Sequence, residues 1–367
     1  MSNARKLADN LPTDGQLGNR NIIINGKFEV DQRHAFASHT VSAGSDFFAD
    51  RWGFYTNSGA FAQYGATSQV VSDAPTGFEK SLKWTTTSSG TIPATGEVLI
   101  RQPVEGYNIS HVDYGSSTAK ELTLSFYVKS SIAGNYGFTA QYTDSGGTNR
   151  YNLRSYTVNS ANTWEFKTIS IPANTANALQ QKTNGAGLRL NWDLGEGTDY
   201  SGTVTGNWQT TYVNGLNGGV KIADNNGATW QVTGVQLEVG SQSTPFEHEP
   251  YETTLRKCER YHQRFVSAGV YPYFTTGRNH SSTVSIFTMH YRTEMRSNPS
   301  MTVSDVADIR IYDGNDRSMT GFTINGNSTT TCGVNFTGLS SGTGNNNAAQ
   351  AYFYDNVNGY VALDAEL

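Results

Sequence analysis

Val235-Gln-Leu-Glu-Val-Gly-Ser-Gln-Ser-Thr-Pro-Phe-Glu-His-Glu-Pro-Tyr-Glu-Thr-Thr-Leu-Arg-Lys-Cys-Glu-Arg-Tyr261 changes period partway along. From Val235 to Val239 the apolar side chains alternate, the pattern of a half-buried strand. After Gly240 and the polar run Ser241–Thr244, the residues Tyr251, Leu255, Cys258 and Tyr261 fall four, three and three apart. That spacing predicts one apolar stripe of a short helix, with Pro250 suited to its first turn. A β-domain therefore ends near residue 240, a helical connector follows, and a second β-rich module begins.

Composition agrees with β-structure on both sides of this joint. Of 367 residues, 36% are hydrophobic and 12% aromatic, only 16% are charged, and 38 are glycine. So many aromatics with so little charge exclude an ordinary disordered chain. The abundance of Thr, Ser, Asn, Gly and Tyr suits sheets with polar outer faces and frequent turns. A net charge of -5 without a basic cluster gives no footprint for nucleic acid. No stretch approaches the roughly 20 apolar residues of a membrane span, and the polar amino terminus lacks the apolar core of a secretory signal. The expectation is a soluble protein made in the cytoplasm, with no membrane insertion. Its two cysteines, Cys258 and Cys332, are expected to be reduced, Cys258 as a small hydrophobe on the helix stripe.

Working outward, strands are expected at residues 21–24, 51–55, 81–86, 98–102, 121–129, 136–142, 151–158, 164–171, 188–192 and 229–239, most bounded by Gly, Asn, Ser or Asp. The clearest is Leu122-Thr-Leu-Ser-Phe-Tyr-Val128, whose Leu122, Leu124, Phe126 and Val128 define a core face. A long insertion, residues 195–219, separates the last two strands; loops of that length without structure of their own are usually functional or disordered. Beyond the connector, strands are expected at 283–291, 301–303, 309–312, 321–324, 331–336, 350–355 and 359–364, with hairpin turns at Asp313-Gly314 and Asn325-Gly326. The organisation reads as an extended attachment leader at 1–20, a β-sandwich at 21–240, linker and short helix at 241–264, and a β-rich tip module at 265–367.

Eight segments occur in order along this frame: Asn19-Arg-Asn-Ile-Ile-Ile-Asn-Gly26, Ala49-Asp-Arg-Trp52, Leu122–Lys129, Asn162-Thr-Trp-Glu165, Leu190-Asn-Trp-Asp-Leu194, Thr233-Gly-Val-Gln-Leu-Glu-Val-Gly240, Thr244-Pro-Phe-Glu-His248 and Cys258-Glu-Arg-Tyr261. Over residues 19–264 the series resembles the tail-fibre and receptor-binding proteins of tailed bacteriophages, notably those infecting marine bacteria. The resemblance implies that the first module is similar to the jelly-roll sandwiches of carbohydrate-binding modules. The fold class is then all-β: a jelly-roll β-sandwich, a short connector helix and a second β-sandwich-like module. It further implies a non-enzymatic virion protein, a homotrimer, that binds host surface glycans or polysaccharide and joins other tail or fibre-attachment proteins. Attachment is expected through the leader and first module, recognition toward the carboxy end. The alternatives are a purely structural head or neck fibre or adaptor, and a polysaccharide depolymerase.

Sugar binding on a jelly roll needs flat aromatic surfaces and planar polar side chains. The insertion offers Tyr200, Trp208 and Tyr212 with Asp199 and Asn207 as candidate glycan contacts. Trp192 alternates with Leu188 and Leu190 and is read as core, while Tyr151, Arg154 and Tyr156 are read as a solvated sheet face. Asp50-Arg51-Trp52 is read as a structural pair capping a strand. Gly26-Lys-Phe-Glu29 resembles the start of related modules that hold a structural calcium, but Thr233-Gly234 stands where the partner acid would be, so no metal is expected. No catalytic spacing of His, Cys, Ser or paired carboxylates is present, and no cofactor is expected.

Overall fold

The structure, a computed structural model, describes residues 18–367 apart from 177, 268, 270, 341–343 and 345, and apart from the side chains at 58 and 61. The leader expected at 1–20 lies almost wholly outside the described residues. The chain divides into two compact units, one ending at Thr254 and the other spanning Leu255–Glu366.

The first unit is a jelly-roll sandwich of two antiparallel sheets. One sheet has the order His39–Thr40 (β1), Gly65–Val71 (β4), Ser81–Ser88 (β5), Thr229–Val239 (β14), Leu122–Ser130 (β7), Glu165–Ile171 (β10). The other has the order Gly44–Ala49 (β2), Trp52–Thr56 (β3), Val98–Glu105 (β6), Ala186–Asp193 (β11), Gly134–Thr143 (β8), Asn149–Val158 (β9). Their inner faces share one core, in which Leu122, Leu124, Phe126 and Val128 are fully buried, as the alternation in β7 requires. Trp192 is also core, its ring 5.5 Å from Trp52 and 5.2 Å from Phe138.

The central strand β14 holds the sheet together by an irregularity. Ahead of Gly234 the even residues Trp230 and Val232 enter the core; beyond it the odd residues Val235 and Leu237 do. The pairing with β7 slips by one residue between Thr233 and Gln236, a β-bulge that moves the apolar set back onto the inner face. Gly234 sits at φ 60°, and a Cβ there would lie 2.6 Å from the ring of Phe78.

Pairing of β14 with β5 ends at Val232, and beyond it Asn21 takes backbone groups on that edge. Its amide donates to the Val235 carbonyl (3.1 Å) and its side-chain oxygen accepts from Leu237 N–H (3.1 Å) and Ile23 N–H (3.0 Å). Residues 21–24 are no strand, contrary to expectation; the Asn21 side chain and one backbone bond, from Ile22 N–H to the Leu237 carbonyl (2.8 Å), stand in place of a ladder. Gly26 passes so close that a Cβ there would be 2.1 Å from the Val235 carbonyl oxygen, while its own carbonyl accepts from Val235 N–H (3.0 Å). The same joint recruits the segment after β14. Thr244 donates its hydroxyl to Glu238 (2.7 Å), Glu247 accepts from Asn21 N–H (2.9 Å), and Arg20 reaches Thr244 (3.0 Å). Three of the eight ordered segments thus meet in one polar knot.

Asp50 and Arg51 serve structure too. Asp50 accepts from the backbone and side-chain amides of Gln32 (2.6 and 2.7 Å), and buried Arg51, at φ 70°, donates to the Pro103 carbonyl.

The connector helix spans Tyr251–Glu259, and Tyr251, expected on its apolar stripe, is 52% exposed. The second unit has a sheet of Asp316–Ser318, Ile309–Tyr312, Ala348–Phe353, Tyr273–Ser281, Val284–His290, Thr331–Thr337 and Gly321–Asn325, in that spatial order. A second sheet pairs Tyr360–Asp364 with His262–Val266 on one side and Ser300–Val303 on the other. Residues of both sheets, among them Phe287, Ile311, Val334, Met301 and Leu363, form one core, so this unit is sandwich-like. Asp313-Gly314 and Asn325-Gly326 each lie between paired strands, with both glycines at positive φ. Cys258 and Cys332 are both buried thiols, and no disulfide joins them.

Two substitutions probe the joint. Asn21→Ala leaves buried backbone groups unpaired and is expected to cost about 1–3 kcal/mol. Gly26→Ala, which forces a Cβ onto a carbonyl oxygen, is expected to cost at least as much. Urea unfolding measures both, and losses below about 0.5 kcal/mol, the scatter of ordinary surface changes, would contradict this account of the joint.

Candidate functional site

The second sheet of the first unit presents an outer face that strand alternation makes polar. In β11, Leu188, Leu190 and Trp192 fill the core, so Arg189, Asn191 and Asp193 point outward. In β8 the core takes Tyr136, Phe138, Ala140 and Tyr142, leaving Gly137, Thr139 and Gln141 outside. In β6, Val98, Ile100 and Val104 go in and Arg101 goes out. Register then sets these residues in rows across the strands. One row is Tyr151, Gln141, Arg189 and Pro103; the next is Leu153, Thr139, Asn191 and Arg101. Asp193, Leu99 and Tyr55 begin a third.

The insertion, residues 195–219, is fastened over part of this face. It contains two short parallel strands, Ser201–Gly202 (β12) and Gly215–Leu216 (β13). Asp193 accepts from the N–H groups of Gly195 (3.0 Å), Glu196 (3.1 Å) and Leu216 (3.1 Å). Glu196 accepts from Val98 N–H (3.1 Å), and the Asn214 side chain accepts from Asn191 (3.3 Å). At the sheet edge, Gln209 and Tyr151 exchange both backbone hydrogen bonds (2.9 and 2.8 Å), and Val213 packs with Tyr151 and Leu153. The roof sits close to the sheet: a Cβ on Gly137 would be 2.9 Å from the Leu216 nitrogen.

Beside this roof is a patch of tyrosines and polar groups. The Tyr212 hydroxyl donates to Glu97 and accepts from the Asn214 amide (2.9 Å). Tyr212, 36% exposed, meets Tyr200 edge-on at 4.9 Å and Tyr151 at 5.2 Å. Arg101 donates to Asn191 (2.7 Å) and lies 4.9 Å over the ring of Tyr55.

Burial governs the electrostatics. It raises the Glu97 carboxyl, although hydrogen bonds from Tyr212 and Asn214 pull the other way. It pushes Asp193 up to about 6 against three backbone N–H groups. Glu196 is raised well above the usual carboxyl range by burial and by the neighbouring charges of Asp193 and Glu97, and its second carboxyl oxygen has no hydrogen-bond partner among the described residues. The Arg101 guanidinium is lowered by burial and then by Arg189 beside it.

Of the residues expected to contact a glycan, the structure brings Tyr200 and Tyr212 together at this patch. Trp208 is placed apart from them: half-buried against the core, it donates its indole N–H to the Pro172 carbonyl (2.9 Å) and packs edge-on against Tyr114 and Tyr142. Asp199 and Asn207 are exposed loop residues. The solvated face expected for Tyr151, Arg154 and Tyr156 is corrected. Tyr156 points into the core and accepts from the Trp230 indole (3.0 Å), Arg154 shares its side of the strand and donates to Gly206, and Tyr151 is buried beneath the insertion. Arg101, Gln141 and Arg189 were missed as site residues. The signal was present in Leu188-Arg-Leu-Asn-Trp-Asp193, where the alternation that buries the leucines must expose the polar partners on one face. Among the described residues no group of three or more His, Cys, Asp or Glu is placed to hold a metal ion.

A carboxyl with a raised folded pKa binds its proton more tightly folded than unfolded. Its contribution to stability is therefore present below the unfolded value and lost as pH rises toward the folded one. Glu196→Gln keeps the acceptor for Val98 N–H and removes the charge. The variant is expected to match the parent near pH 4 and to exceed it at pH 8, as read from urea unfolding across that range. An equal or lower stability at pH 8 would contradict the assignment.

The sequence matches no protein-family model, and no curated protein matches it. Among solved structures the chain is similar to the enzymatically active domain of tailspike protein 4 of bacteriophage CBA120, at 12% identity and TM-score 0.29, over 60% of this chain and 22% of that one. It is similar to the CBM22-1 xylan-binding domain of Paenibacillus barcinonensis Xyn10C, at 12% identity and TM-score 0.28, over 57% of this chain and 96% of that one. A putative sugar binding protein from Bacteroides thetaiotaomicron is similar at 11% identity and TM-score 0.33, over 60% of this chain and all (100%) of the other. Likeness at this level says nothing of what the chain binds.

Proposed function

We propose that this chain is a non-enzymatic bacteriophage fibre protein that binds host surface glycans and mediates adsorption. The observation that carries the glycan-binding part is the patch of tyrosines and planar polar groups beside the insertion. Rings of Tyr55, Tyr200 and Tyr212 border planar polar side chains of Arg101, Gln141 and Arg189 on a rigid sheet. Aromatic faces supply the apolar contact that pyranose C–H groups need, and forked amides and guanidiniums supply donors for hydroxyls. The phage setting, homotrimeric assembly and attachment to other virion proteins rest on the resemblance of residues 19–264 to tail-fibre and receptor-binding proteins.

A second reading, a polysaccharide depolymerase, draws on the clustered carboxylates Glu97, Asp193 and Glu196 with their raised pKa values. Asp193 and Glu196 are occupied in fastening the insertion and Glu97 is capped by Tyr212, which favours the binding role. Release of reducing ends from host polysaccharide, abolished by Glu97→Gln, would favour the enzyme instead.

The purified protein, in its native oligomeric state, is expected to bind host cells and their extracted polysaccharide. Tyr55→Ala with Tyr212→Ala should weaken that binding roughly tenfold or more, the scale of a lost aromatic contact or two. Absence of binding by a folded, assembled sample would overturn the proposal. Microscopy that places the chain on the head or neck would instead favour a purely structural fibre.

A further inference from the structure

The outer face of β8, β11 and β6 sets two arginines, Arg101 and Arg189, side by side. Arg189 on β11 stands directly across from Gln141 on β8 and diagonally from Arg101 on β6, which itself faces Asn191. Diagonal neighbours in a sheet are within reach of long side chains, and each guanidinium keeps its charge at any physiological pH. Two like charges therefore share one half-buried patch in a chain whose formal net charge is -5.

Three acids lie nearby, but their hydrogen bonds go elsewhere: Glu97 to the Tyr212 hydroxyl and the Asn214 amide, Asp193 to three backbone N–H groups, and Glu196 to Val98 N–H. Arg101 spends its Nε on Asn191 and lies against Tyr55, leaving the outer guanidinium nitrogens without a hydrogen-bond acceptor among the described residues. The Arg189 guanidinium has no acceptor there either. Gln141, only 7% exposed, leaves its side-chain amide unpartnered among the described residues. Two desolvated cations and such an amide, all on one rigid sheet and bordered by tyrosines, are complementary to an anion carried on a ring.

We infer that this patch takes an acidic glycan, a saccharide bearing carboxylate or sulfate, whose anionic group binds at Arg101 and Arg189 with Gln141 as an added donor. This rests on the glycan-binding reading and narrows it to a substrate class. The Arg189 fork and the Gln141 amide set the anion; the tyrosines hold the sugar ring.

The test uses the full chain in its native oligomeric state and isothermal titration at low salt. Three probes of matched length serve: polygalacturonate fragments for carboxylate, dextran sulfate fragments for sulfate, and neutral dextran. At least one acidic probe is expected to bind tenfold or more tightly than the neutral one. Arg189→Gln should remove most of that preference, with an unchanged melting curve, and Arg189→Lys should retain part of it. Preference for one acidic probe names the anion and supports the proposal. Neutral probe bound as well as the acidic ones, or acidic binding unmoved by Arg189→Gln, overturns the acidic assignment and leaves glycan binding standing. No binding to any probe or to host polysaccharide by a folded sample overturns both.

Discussion

The parity change at Gly234 is the constraint on which the first unit depends. A strand of eleven residues, Thr229–Val239, must bury Trp230 and Val232 at one end and Val235 and Leu237 at the other. Strict alternation would turn one pair outward, so an extra residue is inserted and the ladder breaks. On the edge where pairing with β5 has ended, backbone groups are taken by Asn21, a residue more than two hundred positions distant, with Gly26 passing at a separation only glycine allows. Closing the sheet at its centre thus draws in the earliest described part of the chain and the segment after β14 together.

That joint also gives three of the ordered segments a shared structural role. Arg20-Asn21, Thr233–Gly240 and Thr244–Glu247 are coupled by hydrogen bonds, so each needs the others' side chains in place. The segments mark architecture, while the patch is assembled elsewhere, on the far sheet, from strands and an insertion whose sequences stand outside most of those segments.

Much of the fold was legible because many of its strands alternate cleanly; Leu122–Val128 and Leu188–Trp192 each show a core face without any tertiary knowledge. Gly65–Val71 was not, since Gly-Ala-Thr-Ser-Gln-Val-Val turns small residues such as Ala66 and Ser68 inward. Tyr273–Ser281 is similarly polar, with Gly, Arg, Asn and His in mid-strand. Residues 21–24 misled because an apolar triplet beside a turn looks like a strand when its partner is a side chain. At the site, Tyr200 and Tyr212 could be picked by residue type within one loop. Arg101, Gln141 and Arg189 come from three strands, and only register makes them neighbours. Trp208 shows the converse limit: an aromatic in a polar loop is equally suited to a sugar or to a gap beside Tyr114 and Tyr142, and local sequence does not separate the two.

The insertion is anchored at its two ends, at Gln209 and through Trp208, while Thr203, Val204, Thr205, Asn207, Thr210 and Thr211 are exposed between those anchors. The exposed positions form a cassette on fixed pegs. Sequence change confined to them leaves Trp208, Gln209 and the sheet beneath in place, so such positions suit randomised libraries at the bench.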